Sequence, residues 1–193
     1  MTQLMKFEFQ DETGVTRTLS RDEIVTYLTL ITSAGSDTTA TAIGWAGSLL
    51  SDHPEQRRQL VDDPGLISRA VEEVLRYEPP SFHNCRWNTA DVQFHGQTVP
   101  AESIVVLLPP AANRDERKWY DPERFDIHRN PAQTFTFGFG PHFCLGANLA
   151  KLEARIALET ILPRIPEWTC DYDDSALTSG IDTRGWQRLV VTV

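Results

Sequence analysis

Apolar and polar positions change their period several times along this chain, and the changes divide it into elements. After Ser20, the residues Ile24, Tyr27, Leu28, Ile31 and Ala34 fall at helical spacing. Ser20 followed three residues later by Glu23 is a capping box, which starts the helix near Arg21. The pattern predicts helix to about Leu50, roughly 45 Å at 1.5 Å per residue. Helices of that length normally cross the centre of a larger protein. Upstream, residues 5–18 read as a short polar strand or hairpin, with Thr13-Gly14 as the turn. Downstream, Asp52-His53-Pro54 restarts a short helix that ends near Val61. Asp63-Pro64 starts another, which stops before Pro79-Pro80 because the residue preceding a proline is pushed out of the helical region.

Beyond Pro80 the period shortens. Residues 85–108 alternate around Gly96 and Pro100, which predicts short strands and turns. Residues 111–143 are rich in Pro, Gly, Asn and Asp and show little period. An irregular segment of this length is uncommon unless it serves a function. Helical spacing returns from Leu145 to Leu162 and stops at Pro163, and residues 167–193 read as a small β-hairpin region. With no internal repeat or obvious linker, the prediction is one α+β domain over 1–193, mainly helical, with its sheets set apart from its helices.

Composition adds exclusions. Of 193 residues, 40% are apolar and 23% charged, ordinary for a globular domain with its own core. The net charge of −9 disfavours nucleic acid and anionic membrane as partners. No apolar run reaches the ~18 residues of a membrane span. Met1 to Asp11 lacks the basic-then-apolar pattern of a secretory signal. The three cysteines, Cys85, Cys144 and Cys170, are widely spaced and odd in number, which argues against a disulfide framework and a four-cysteine zinc site. A reducing cytoplasm is the expected location.

Candidate chemistry concentrates in Phe137-Gly138-Phe139-Gly140-Pro141-His142-Phe143-Cys144-Leu145-Gly146. Its glycines let a loop turn tightly and approach a flat ligand closely. Cys144 lies just before a predicted helix, whose first amides and dipole favour negative charge on a sulfur. A thiolate in a sheltered loop suits a soft metal centre. A lone cysteine is more often a small buried apolar residue, but the complete F-G-x-G-x-H-x-C-x-G spacing outweighs that reading. The string resembles the haem-binding loop of the cytochromes P450, in which a cysteine thiolate holds the haem iron and favours O–O cleavage.

The resemblance extends from Leu19 to Val193, implies that residues 1–193 are a single partial domain, the C-terminal half of the family fold with its long central helix, and assigns roles. It makes Cys144 the axial ligand of haem b. Phe137 packs beside the sulfur, Gly138 shapes the loop, His142 reaches a haem propionate, and Gly146 permits the next helix to approach the porphyrin. Arg86 pairs with a propionate, a contact suited to a guanidinium; without the cysteine loop it reads as a surface arginine at a strand start. Glu73 and Arg76 share a helix face, and in isolation would be an exposed pair worth roughly 0.3–0.5 kcal/mol. With Pro79-Pro80 and Pro122-Glu123-Arg124-Phe125 downstream, the resemblance implies a buried network of Glu73, Arg76 and Arg124 that fixes the irregular segment.

Ala34-Gly35-Ser36-Asp37-Thr38-Thr39 holds poor helix formers. A threonine bonded to the carbonyl four residues back bends a helix; alternatively, small residues serve a tight helix crossing. The string is similar to the family's oxygen-activation motif. That similarity places Ala34 and Gly35 over the haem face, gives Thr38 a hydrogen bond to dioxygen, and makes Asp37 a proton relay for the two protons that O–O cleavage consumes. Ile31–Ala34, Ser81–Cys85 and Thr178–Ile181 match substrate-lining regions. Phe82 and Ile181 suit a hydrophobic ligand, and His83 is either a polar anchor or, more commonly, a structural histidine.

The resemblance therefore implies a haem-thiolate monooxygenase. It would insert one oxygen atom of O2 into a hydrophobic small molecule. Electrons would come from a separate ferredoxin and ferredoxin reductase, since no flavin or iron–sulfur motif is present. A family chain carries a further N-terminal half, so a separate N-terminal half is an expected partner, and without it the long helix should expose apolar surface. The alternatives are a truncated, catalytically inactive haem-binding module and a haem-thiolate isomerase or peroxide-driven enzyme. Asp37-Thr38 favours O2 activation over the last.

Overall fold

The computed structural model describes residues 2–130, 133–178, 180 and 182–193. The chain clusters into two compact units, residues 1–37 and 38–193.

In the first unit, Thr2–Lys6 form a short helix, α1, where the sequence predicts the start of a hairpin. Pairing is confined to β1 (Glu8–Gln10) and β2 (Thr16–Thr18), antiparallel with Phe9 opposite Arg17. The Asp11 carboxylate accepts from the amides of Thr13 (2.9 Å) and Val15 (3.1 Å), so the turn is closed by a side chain as well as by Gly14. The helix α2 (Arg21–Asp52) begins as predicted and runs 32 residues. Its capping box is reciprocal: the Ser20 amide donates to Glu23 Oε2 (2.7 Å) and the Glu23 amide to Ser20 Oγ (3.2 Å). Arg17 adds a bidentate contact to Glu23, at 2.8 Å for each bond. Val25, Leu30 and Ile31 are exposed on this part of α2, the uncovered apolar surface that the sequence leads one to expect.

The second unit holds the remainder of α2 and then α3 (Pro54–Asp62). The predicted helix from Pro64 starts as a 3-10 turn, Pro64–Leu66, capped by Asp63, and becomes α-helical only in α4 (Ile67–Tyr77). Three two-stranded antiparallel sheets follow. They pair β3 (Asn84–Trp87) with β6 (Ile104–Leu107), β4 (Val92–Phe94) with β5 (Gln97–Val99), and β7 (Thr169–Leu177) with β8 (Trp186–Thr192). Within the long irregular segment lie a short helix, α5 (Pro109–Asn113), and a 3-10 turn, Gly140–His142. The last helix, α6, spans Ala147–Ile161, beginning two residues later than the apolar spacing suggests.

The core joins Leu50, Leu60, Ile67, Val71, Val74 and Leu75 to Phe125, Ile127, Leu158 and Leu162. It draws the irregular segment inward through Phe125 and Ile127. Gln56 secures that entry: its side chain accepts from the Ile127 amide (2.8 Å) and donates to the Phe125 carbonyl (3.0 Å). These bonds satisfy backbone groups that burial would otherwise leave unpaired. The buried Arg57 donates to the carbonyls of Leu50, Trp168 and Pro166, tying the end of α2 to the chain before β7.

Candidate functional site

The cysteine loop is closed by its own backbone. The Cys144 amide donates to the Phe137 carbonyl (2.9 Å), and the Phe143 amide to that of Gly140 (2.9 Å). Gly138 and Gly140 take φ of 76° and 74°, the left-handed region that a side chain rarely tolerates. Phe137 is half-buried and packs on the core, with its ring centroid 6.4 Å from that of Phe143 and 5.4 Å from Lys151 Nζ. Lys151 is in turn held by Glu72 at 2.6 Å. The loop is therefore fixed at its inner end.

Its outer end is open. Cys144 is exposed, not sheltered as the sequence reading has it. Phe139 and Leu145 are 70% and 80% exposed, and Phe143 and Leu149 are also exposed. Leu145, Leu149, Leu152 and Ile156 continue as an apolar stripe along α6. The physical reason is that these described residues have no layer of this chain packed over them. Gly146 lies close beside the sulfur, since a Cβ there would stand 4.0 Å from Cys144 Sγ. His142 and Arg86 are exposed, and Arg86 donates to the neighbouring Cys85 carbonyl (2.8 Å).

The chemistry of the donor set, one thiol beside exposed apolar side chains, suits a metal carried in a flat apolar macrocycle. Among the described residues there is no group of three or more His, Cys, Asp or Glu side chains placed to hold a metal ion. A metal that arrives already ringed by four ligands needs only one from the protein. Cys144 offers one soft donor amid apolar surface.

Beneath the loop lies a buried ionic network that corrects one sequence expectation. Glu73 and Arg76 are fully buried, with Arg76 Nε and Nη2 donating to the two Glu73 oxygens at 2.7 and 2.9 Å. Arg76 also donates to the carbonyls of Asn113, Pro122 and Arg124. The second cation on Glu73 is Arg129, at 3.2 Å, and not Arg124. The Arg124 side chain is 64% exposed and faces Asp126 (3.5 Å); only its carbonyl joins the network. The reason is reach: Phe125 is sunk in the core, which carries the following turn past Glu73, so the Asp126 amide (3.0 Å) and Arg129 face the carboxylate.

Sequence reasoning also missed Asn113. Fully buried, it donates to the Arg76 carbonyl (3.3 Å) and Thr136 Oγ1 (2.9 Å) and accepts from the Phe135 amide (2.8 Å). Thr136 donates to the Leu75 carbonyl (2.7 Å). The pair moors the start of the cysteine loop to α4. No local signal marks Asn113, because asparagine is common in loops generally.

The Ala34–Thr39 string lies within continuous helix. Ala34, Gly35 and Asp37 are exposed, Thr38 is half-buried, and Thr39 is buried. Thr29, Thr32 and Ser36 each bond the carbonyl four residues back, at 2.8–2.9 Å, so hydroxyl groups run along this turn sequence without breaking it. Phe82 and His83 are half-buried neighbours, with ring centroids 4.8 Å apart. His83 Nε2 faces Asp182 at 3.8 Å. Its Nδ1 is buried without a partner among the described residues. Ile181 lies outside the described residues.

Comparison with known proteins gives one consistent answer. The family pattern described as Cytochrome P450 matches residues 65–171. The vitamin D(3) 25-hydroxylase of Pseudonocardia autotrophica is 40% identical over 91% of this chain and 44% of its own length. A steroid C26-monooxygenase of Mycobacterium tuberculosis is 41% identical over 82% of this chain and 43% of its own. The solved structure of a cytochrome P450 from Chondromyces apiculatus superposes with a TM-score of 0.91 and 36% identity, covering 98% of this chain and 48% of that one. The chain spans about half the length of the relatives it matches.

Proposed function

This chain belongs to the cytochrome P450 family, and from that premise we propose that it is the haem-bearing part of a monooxygenase acting on a hydrophobic small molecule. One atom of O2 enters the substrate and the other leaves as water, with electrons supplied by a separate ferredoxin and its reductase. Members of the family carry haem b. When bound, that group supplies oxygen activation at an iron held by one thiolate.

The observation that carries the reading is Cys144 at the rim of a backbone-closed loop, exposed amid apolar side chains. Cys144 Sγ is the metal ligand. Phe137, half-buried behind the loop, would limit water beside the sulfur, and Gly138 and Gly146 would leave room for a macrocycle to approach. Arg86 and His142 are exposed donors suited to its carboxylates. On α2, Thr38 Oγ1 would hold a proton for the oxygen chemistry that haem supplies, and the Asp37 carboxylate would resupply it. Phe82 supplies apolar lining. The two named relatives, a vitamin D(3) hydroxylase and a steroid monooxygenase, support a hydrophobic substrate for this chain as well. The exposed α6 stripe and α2 surface support a complementing N-terminal half as the cover.

The test is the reduced, CO-bound absorbance spectrum of the purified chain reconstituted with haem. The parent should show the red-shifted Soret band of thiolate ligation. Cys144→Ala should lose it while unfolding within about 0.5 kcal/mol of the parent, since the residue is exposed. A thiolate band that survives the substitution overturns the assignment. Haem binding without turnover in the presence of redox partners would favour an inactive haem-binding module instead.

A further inference from the structure

Three consecutive residues near the C-terminus are held from three directions. Arg184 pairs with Glu78 and stacks its guanidinium 5.0 Å from the Trp45 ring centroid. The Arg184 carbonyl accepts from Trp45 Nε1 (2.9 Å) and its amide donates to the Pro80 carbonyl (3.0 Å). At Gly185 there is no room for a side chain: a Cβ would stand 2.4 Å from Thr41 Cγ2. Trp186 donates to Ser48 Oγ (3.0 Å) and stacks on Tyr172.

The strip just before them runs along Pro80–His83. Ser81 and Thr183 form an isolated antiparallel bridge, and the Phe82 amide reaches the Asp182 carbonyl at 3.4 Å. That main-chain pairing is short, a single bridge made of this long bond and the 3.0 Å bond from the Arg184 amide to the Pro80 carbonyl, and its weak end is the one where Asp182 faces His83. The charges add what it lacks. Glu78 caps the C-terminus of α4, with its amide bonded to the Val74 carbonyl (2.8 Å) and its side chain 14% exposed. It accepts from Arg184 on one side and from Arg114, just beyond α5, on the other (3.2 Å). A nearly buried carboxylate shared by two guanidinium groups is a strong and directional clamp.

We propose that Glu78 is a positioning residue for the substrate site: through Arg184 it holds the strip Asp182–Trp186 in register on Pro80–His83. It thereby sets where Phe82 and His83 stand. This rests on the reading above that Phe82 lines that site. Selectivity among hydrophobic ligands of different shape is the property the clamp controls.

The experiment uses the full chain as parent, Glu78→Gln, Arg184→Gln, both together, and Arg184→Lys. Hydrogen exchange is followed at the amides of Phe82 and Arg184, with those of α4 as the control. Each Gln variant should exchange roughly three- to tenfold faster at these two amides, the range that a partly exposed charge-assisted contact supports. The double variant should be no faster than either single, and Arg184→Lys, which keeps the charge but loses the planar fork stacked on Trp45, should fall between the parent and Arg184→Gln. In the haem-loaded chain, the ratio of dissociation constants for a steroid and a C12 fatty acid should shift in Glu78→Gln. Unchanged exchange at Phe82 and Arg184, additive single effects, or an unchanged ligand ratio overturns the proposal. A parent that takes up haem but binds neither probe sinks the substrate-lining reading instead, and the exchange data still judge the clamp.

Discussion

Replacing Arg129 by alanine separates the network seen here from the one the sequence implies. Glu73 is wholly buried and accepts four hydrogen bonds: two from Arg76, one from the Asp126 amide and one from Arg129. Arg129, itself 13% exposed, also donates to the carbonyls of Tyr120 (2.7 Å), Asp121 (2.9 Å) and Arg124 (3.1 Å). Breaking a buried ion pair outright costs about 3–5 kcal/mol, because a charge is left without its partner. Here Arg76 remains, so Arg129→Ala should cost about 2–4 kcal/mol, including the carbonyl contacts it abandons. Arg124→Ala removes only a solvent-exposed pair and should cost less than about 1 kcal/mol. Urea unfolding followed by tryptophan fluorescence measures both. Trp119 is a local reporter, its ring centroid 5.7 Å from the Arg76 guanidinium. With a slope of about 2 kcal/mol per molar urea, the midpoint should fall by roughly 1–2 M for Arg129→Ala and by less than about 0.5 M for Arg124→Ala. Equal losses for the two variants, or a silent Arg129→Ala, would refute the reasoning.

Three further outcomes follow from the same structure. Gly185→Ala should destabilise the chain by about 1–3 kcal/mol through overpacking against Thr41, and Thr41→Ala should recover part of the loss, as thermal unfolding of the single and double variants will show. Glu23 is held at a pKa of about 2, chiefly by hydrogen bonds from Arg17, then by those from Ser20. A carboxylate with a depressed folded pKa contributes stability that is whole above its unfolded value of 4.5 and fades as pH falls toward about 2. Amide protection at the start of α2 should therefore fall across that window in the parent and lose its pH dependence in Glu23→Gln. Thr38→Ala should leave the thiolate spectrum intact while sending reducing equivalents to hydrogen peroxide; peroxide yield per electron consumed is the measurement, and unchanged coupling removes Thr38 from proton delivery.

The boundaries of α2 and the limits of α3 were legible because caps and prolines act locally: Ser20 with Glu23, and Pro54, need no distant partner. The cysteine loop was legible for a similar reason, since a tight turn with φ near 75° demands glycine at Gly138 and Gly140 whatever surrounds it. Arg129 was not. It and Arg124 lie five residues apart in the same polar stretch, and nothing in their spacing says which turns inward. Asn113, Glu78 and Arg184 were likewise silent, because their partners lie tens of residues away in sequence.

Residue order alone pointed to the family, to most of the helical and hairpin elements, and to Cys144 as the candidate haem ligand, because each of those is written in neighbouring positions. Tertiary structure alone determined which arginine meets the buried Glu73 carboxylate, which loop residues are moored by Asn113, and that Cys144 stands exposed at the edge of an apolar surface. Those outcomes depend on how deeply Phe125 and Ile127 sink into the core, and the depth of burial is a property of the packed whole rather than of any local string of residues.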